Sequence, residues 1–235
     1  MKRHIPNTIT CCNLISGCSA TFMAFQGHHE MALALIVLGA VFDFFDGFAA
    51  RLLHVSSPIG KELDSLADVI TFGLAPSAMV FNVVSAGATC VSDGTSSPCA
   101  IAPYLPYLAF VMAAFSALRL AKFNLDERQT MGFIGMPTPA NALFWSALIV
   151  GFSGEVAPRL LLAGTFVASY LLVSEIPMFA LKFKNFTWND NKLRYSFLIA
   201  AVGFIAVLQV KGIAMSILLY ILLSCVAHLL QKKVA

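Results

Sequence analysis

Charge is what this sequence has least of. Only 11% of its 235 residues are Asp, Glu, Lys or Arg, under half of the roughly 25% usual in soluble domains. The formal balance is +3, so there is no basic field for nucleic acid and no nucleic-acid partner is expected. With 59% apolar residues and a mean hydropathy of +0.82, the composition is that of a membrane protein. A Gly-rich phosphate loop is absent, because Gly60-Lys61 is followed by Glu62. The five histidines, His4, His28, His29, His54 and His228, match no metal-ligand spacing and read as surface or loop residues. The six cysteines make no disulfide scaffold, since Cys11, Cys12, Cys18 and Cys225 fall in apolar spans. Cys90 and Cys99 differ: they share a loop expected outside, with Gly94 and Pro98 between them, and an oxidising compartment would let them bridge. The opening Met-Lys-Arg-His-Ile-Pro carries no small-residue cleavage site after an apolar run, so the first span reads as retained.

Long apolar runs are what the chain has in abundance. Eight spans, at about 9–26, 30–52, 61–86, 104–123, 137–153, 157–180, 195–210 and 212–230, predict an all-α integral membrane protein. The fifth and seventh are short, and Pro76 predicts a kink in the third. Basic residues orient the bundle. With the N-terminus inside, Lys2, Arg3, Arg51, Lys61, Arg119, Lys122, Arg128, Lys182, Lys184, Lys192, Arg194, Lys232 and Lys233 fall on the cytoplasmic side, leaving only Arg159 and Lys211 outside. Both termini, and the connection from Arg51 to Gly60, then face the cytoplasm.

Against that apolar background stand four aspartates, Asp43, Asp46, Asp64 and Asp68. A carboxylate near the bilayer interior costs about 2.5–3.5 kcal/mol on insertion scales, so four together need a compensating partner. On a helix Asp43, Asp46, Gly47 and Ala50 share one face, and Gly60, Asp64 and Asp68 share a face of the next. Two acidic stripes can therefore converge. Cations would let all four stay ionised, two divalent ions would balance the count, and hard oxygen donors suit Mg²⁺, Mn²⁺ or Ca²⁺. Gly47 and Ala50 leave room for a ligand against the backbone, and Arg51 offers a fork suited to phosphate. Acids, metal and phosphate binder together point to phosphoryl-type chemistry.

The string Asp43-x2-Asp46-Gly47-x2-Ala50-Arg51-x8-Gly60-x3-Asp64-x3-Asp68 resembles the signature of the CDP-alcohol phosphotransferases, membrane enzymes that move a phosphatidyl or similar group from a CDP-linked lipid to an alcohol. Every signature position is filled. The stretches Ile5 to Thr10, Asn13-Leu14, Ile70 to Pro76, Leu118 to Asn124 and Phe133 to Ala140 are similar to segments typical of its phosphatidylserine synthase branch. A different class of that activity uses paired His-x-Lys motifs, which are absent here. The resemblance implies transfer from CDP-diacylglycerol to L-serine, a site holding two divalent cations (Mg²⁺ or Mn²⁺) on Asp43, Asp46, Asp64 and Asp68, and a homodimer. It further implies Asp68 as general base and the nucleotide along Gly47 and Ala50. Residues 1–153 then form the catalytic core and 154–235 additional helices.

Other site residues follow less directly. Arg51 and Ser57 are expected on the diphosphate, Gly60 beside them, and Asn7, Thr10 and Asn13 along the nucleotide pocket, although helix capping accounts equally for Asn7. Serine's carboxylate needs a cation, for which Lys61, Arg119 and Lys122 are unranked candidates; snorkelling to the interface is the structural alternative for Arg51, Arg119 and Lys122. Glu175 reads as an interfacial acid rather than an acceptor contact. Glycerol 3-phosphate or an inositol phosphate is the alternative acceptor, and a cation transporter is the alternative class. A transporter would spread its acids over several helices, whereas here they cluster between 43 and 68.

Overall fold

Away from water, a helix satisfies its backbone N–H and C=O groups within its own segment. The computed structural model describes residues 4–55, 57–89, 102–126, 133–178, 187 and 191–234, and it is helical apart from one two-residue strand pair. Helix α1 (His4–Phe25) turns at Gly27, whose φ of 79° favours glycine, into α2 (His29–Leu52). A short connection leads to α3 (Pro58–Asp68), a π-helical turn (Val69–Leu74) and α4 (Ala75–Thr89). A 3₁₀ segment (Ala102–Phe110) runs into α5 (Val111–Leu125). Strand β1 (Phe133–Ile134) precedes α6 (Thr138–Gly151) and α7 (Pro158–Val173), and pairs antiparallel with β2 (Pro177–Met178). Helices α8 (Lys192–Leu208) and α9 (Val210–Val234) end the chain.

Five stretches are long and apolar enough to cross a bilayer: His4–Phe25, His29–Leu52, Pro58–Gly87, Tyr104–Leu125 and Val210–Ala227. The other expected spans appear as α6, α7 and α8, of 14, 16 and 17 residues. At 1.5 Å per residue α6 rises only about 21 Å, against a hydrocarbon core of about 30 Å. Large apolar side chains such as Phe44, Phe45, Phe48, Ile199, Val202 and Val207 point outward, as a lipid-facing surface requires. Cys90 and Cys99 lie outside the described residues, while Cys11, Cys12, Cys18 and Cys225 are free.

Ahead of Pro76 the helix departs from regular α geometry. Pro76 has no N–H to donate to Phe72, and its ring would crowd that carbonyl. The chain answers one turn earlier, where the Ala75 N–H bonds Ile70 O, five residues back. This π-helical turn follows directly after Asp68.

Small residues bring the helices together. The buried face of α1 is Thr10, Asn13, Ser16, Gly17, Ala20, Thr21 and Ala24, so the α2 backbone can approach closely, and Ser16 Oγ donates to Leu35 O at 2.7 Å. Thr71 of the π-helical turn wedges between Gly17 and Gly39 and donates to Asn13 O at 3.1 Å. A Cβ at Gly17 would collide with Thr71, and one at Gly39 with Thr71 and Asn13. Gly17→Ala is therefore expected to cost about 1–3 kcal/mol of stability through overpacking. Gly203→Ala on α8, where a Cβ meets nothing within 4 Å, should be neutral or slightly stabilising. Thermal melting of both variants in detergent checks this contrast.

Candidate active site

The acidic stripes do converge. Carboxylate oxygens of Asp43 on α2 and of Asp64 and Asp68 on α3 lie within 4.8 Å of one another. Asp68 is 7% exposed and accepts from Asn13 Nδ2 at 3.2 Å. Asp46, one turn after Asp43, is 6% exposed and accepts from Thr10 Oγ1 at 2.6 Å. Helix α1 thus holds one acid on each stripe. No lysine or arginine forms an ion pair with any of the four among the described residues, and the buried Asp64 Oδ1 has no hydrogen-bond partner there. Clustered hard oxygens, one of them orphaned, fit a divalent cation.

A cavity of about 240 Å³ opens beside the acids, with Asp46, Gly47 and Ala50 on one wall, Ser57, Gly60, Lys61 and Asp64 on another, and Pro6, Asn7 and Thr10 of α1 closing it. The spacing of the signature accounts for most of this wall: apart from Lys61, the α2 and α3 residues that line it are small or acidic. A Cβ at Gly47 would meet only Arg51 Nη1, at an ordinary 3.5 Å, so protein packing does not require glycine there. The space is left for something else. Gly60 is tighter, with Ser57 Oγ and Asn7 Oδ1 at 3.0 and 3.1 Å from such a Cβ.

Some expected residues take other positions. Ser57 Oγ accepts from the Gly60 N–H at 3.0 Å and so caps α3, while still lining the cavity. Asn13 does not line the cavity; its amide orients Asp68. Arg51 is exposed and is not among the residues lining the cavity, its Nη1 lying 3.5 Å from where a Cβ of Gly47 would stand. Lys61 donates to Asn124 O at 2.9 Å, and Asn124 Nδ2 donates to Ser65 Oγ at 2.8 Å, tying α5 to α3. Lys122 is exposed, whereas Arg119 is buried at 7% exposure with its guanidinium 5.0 Å from the Phe123 ring centroid. Glu175 is exposed. Tyr220 of α9, within electrostatic reach of Arg119, had no sequence signal, since a hundred residues separate them.

These features define a multi-pass helical membrane protein with a metal-competent acidic site at one end of its bundle. The chain belongs to the CDP-alcohol phosphatidyltransferase family, whose sequence model matches residues 3–228. It is similar to the CDP-diacylglycerol–serine O-phosphatidyltransferase of Bacillus subtilis, 37% identical over 174 residues, 74% of this chain and 88% of that protein. Proteins of the same name from Helicobacter pylori and Methanocaldococcus jannaschii are 28% identical over 221 residues (91% of this chain, 87% of theirs) and 33% identical over 148 residues (63% of this chain, 59% of theirs).

The clustered carboxylates, with the Asp64 Oδ1 left unpartnered, generate a direct expectation. Mn²⁺ titration followed by electron paramagnetic resonance should show binding to the purified protein, weakened at least about tenfold in Asp43→Asn or Asp64→Asn. Equal binding by all three proteins would mean the cluster is not the metal site.

Proposed function

We propose that this chain is a phosphatidylserine synthase, transferring the phosphatidyl group of CDP-diacylglycerol to the hydroxyl of L-serine with release of CMP. The observation that carries the reading is the convergence of Asp43, Asp64 and Asp68 beside a cavity kept open at Gly47, in a chain whose relatives bear that activity in their names. Cytidine lies along Gly47 and Ala50, with Asn7 and Thr10 behind it; Arg51 beside Gly47 and the Ser57 hydroxyl of the loop hold diphosphate oxygens. Asp43, Asp46, Asp64 and Asp68 would hold two divalent cations, Mg²⁺ or Mn²⁺, which when bound polarise the diphosphate and offset the charge of departing CMP.

Serine's hydroxyl is a weak nucleophile at neutral pH, so a base must lie within reach of its proton. Asp68 takes that role. Its Oδ1 is occupied by the Asn13 amide, which fixes the carboxylate and leaves Oδ2 for the proton. The oxygen of serine then attacks phosphorus, and the bond to CMP breaks. No covalent enzyme intermediate is needed. We further propose that the acidic end and both termini face the cytoplasm, as the distribution of basic residues favours, and that the protein acts as a homodimer.

Release of CMP from CDP-diacylglycerol with a panel of acceptors tests the reading: L-serine should be used, and glycerol 3-phosphate and inositol phosphate should not. Asp68→Asn is expected to lose about 10²–10⁴ in rate while CDP-lipid affinity stays within about tenfold. Gly47→Ala should do the reverse, melting like the wild type but binding the CDP-lipid poorly. Near wild-type turnover by Asp68→Asn across neutral pH would assign the base elsewhere.

A further inference from the structure

A second cavity, of about 170 Å³, opens at the end of the bundle away from the acids, where α2 begins, α4 ends and α6 gives way to α7. His29 and Asn82 line it together with apolar side chains that include Val83, Ile149, Phe152 and Leu161. His29 is the first residue of α2, and at 1.5 Å per residue it lies about 21 Å along that helix from Asp43. The cavity is therefore separate from the acidic site.

Its polar side is built, and it is incomplete. Asn82 Nδ2 donates to Phe25 O at 3.1 Å, which fixes the amide beneath the turn between α1 and α2, and the same side chain meets the His29 imidazole. The Nδ1 of His29, shielded from solvent, has no partner among the described residues. One turn deeper along α6 than Ile149, the Trp145 Nε1 is likewise unpartnered, in a side chain only 2% exposed whose ring lies over Gly164 of α7. Buried polar groups are nearly always partnered, so two such atoms on the helices around one cavity point to a ligand that carries more than one oxygen.

Charge and size narrow its class. Among the described residues no lysine or arginine lines the cavity, and Lys211, whose ammonium lies 4.7 Å from the Phe152 ring centroid, is already paired with Glu155 at 2.7 Å. A phosphate buried there would lack a counter-charge. A dry cavity of about 150 Å³ admits a benzene-sized group, so this one has room for a glycerol-ester unit but not for the chains attached to it. An indole N–H only donates, which calls for an acceptor such as an ester carbonyl, whereas a hydroxyl meets an imidazole nitrogen in either of its tautomers.

We propose that this cavity binds the glycerol-ester portion of an uncharged lipid, a diacylglycerol, with its hydroxyl on His29, an ester carbonyl on the Trp145 indole and its chains leaving along α6 and α7 into the bilayer. The bound lipid ties α2, α4, α6 and α7 together at the end of the bundle opposite the acids. A soluble polyol offers the same hydroxyl without chains, and the test separates the two.

Thermal melting of the full-length protein is followed in a detergent that has neither hydroxyl nor carbonyl groups. Added 1,2-dioctanoylglycerol is expected to raise Tm to a plateau, while glycerol and dodecane give no saturable rise. Val83→Phe, which fills part of the cavity, should abolish the response. His29→Leu and Trp145→Phe each remove one hydrogen bond and should weaken the apparent affinity about two- to tenfold; they carry the test where the Val83 variant does not fold. No rise with the diglyceride, an equal rise with dodecane, or a response unchanged in all three variants overturns the site. Saturation by glycerol alone overturns the assignment to a lipid.

Discussion

Four carboxylates crowded at one end of an apolar bundle are the constraint on which the rest of this structure turns. In a medium of low dielectric, like charges so close repel strongly, and an unpartnered buried carboxylate carries a desolvation cost besides. The protein supplies no lysine or arginine ion pair to offset this among the described residues. It supplies neutral donors instead, Thr10 to Asp46 and Asn13 to Asp68, which hold the acids in place without neutralising them. Such an arrangement leaves the negative charge available to a cation.

The small-residue face of α1 follows from that need. To reach both acidic stripes, α1 must lie close to α2 and to the π-helical turn at once, and Gly17, Ala20 and Ala24 with Gly39 opposite make that approach possible. Thr71 locks the junction by hydrogen-bonding the carbonyl of Asn13, the residue whose amide holds Asp68. Packing and site are therefore one unit. The π-helical turn sits between α3, which carries Asp68, and α4, and delivers Thr71 to the wedge.

Much of this was legible in the chain. The spacing of the eight signature residues places the acids on facing stripes, because helical periodicity converts sequence offsets directly into direction, and Asp43, Asp64 and Asp68 meet as expected. The long apolar runs announce the helical membrane fold. What was not legible depends on tertiary contact. Asn13 reads as a residue of the nucleotide pocket, and only its position against α3 makes it the partner of Asp68. Lys61, Arg119 and Lys122 are unranked in the sequence; burial separates them. Tyr220 comes from a helix with no distinguishing motif. Hydropathy alone also could not tell which runs attain bilayer length as unbroken helices: α6 and α7 begin within a residue of the expected starts but stop at Gly151 and Val173, ahead of the expected 153 and 180, and α8 stops before Gln209, where φ is 51°.

Two divalent cations held between α2 and α3 by Asp43, Asp46, Asp64 and Asp68 are what we propose completes the site. Anomalous scattering from crystals grown with Mn²⁺ and a CDP-lipid tests it most directly. The account predicts two peaks lying between the two helix ends, liganded by Asp43, Asp46, Asp64 and Asp68, with the diphosphate against them and the cytidine over Gly47. A CDP-lipid bound in that cavity with no anomalous density among the four carboxylates would contradict it.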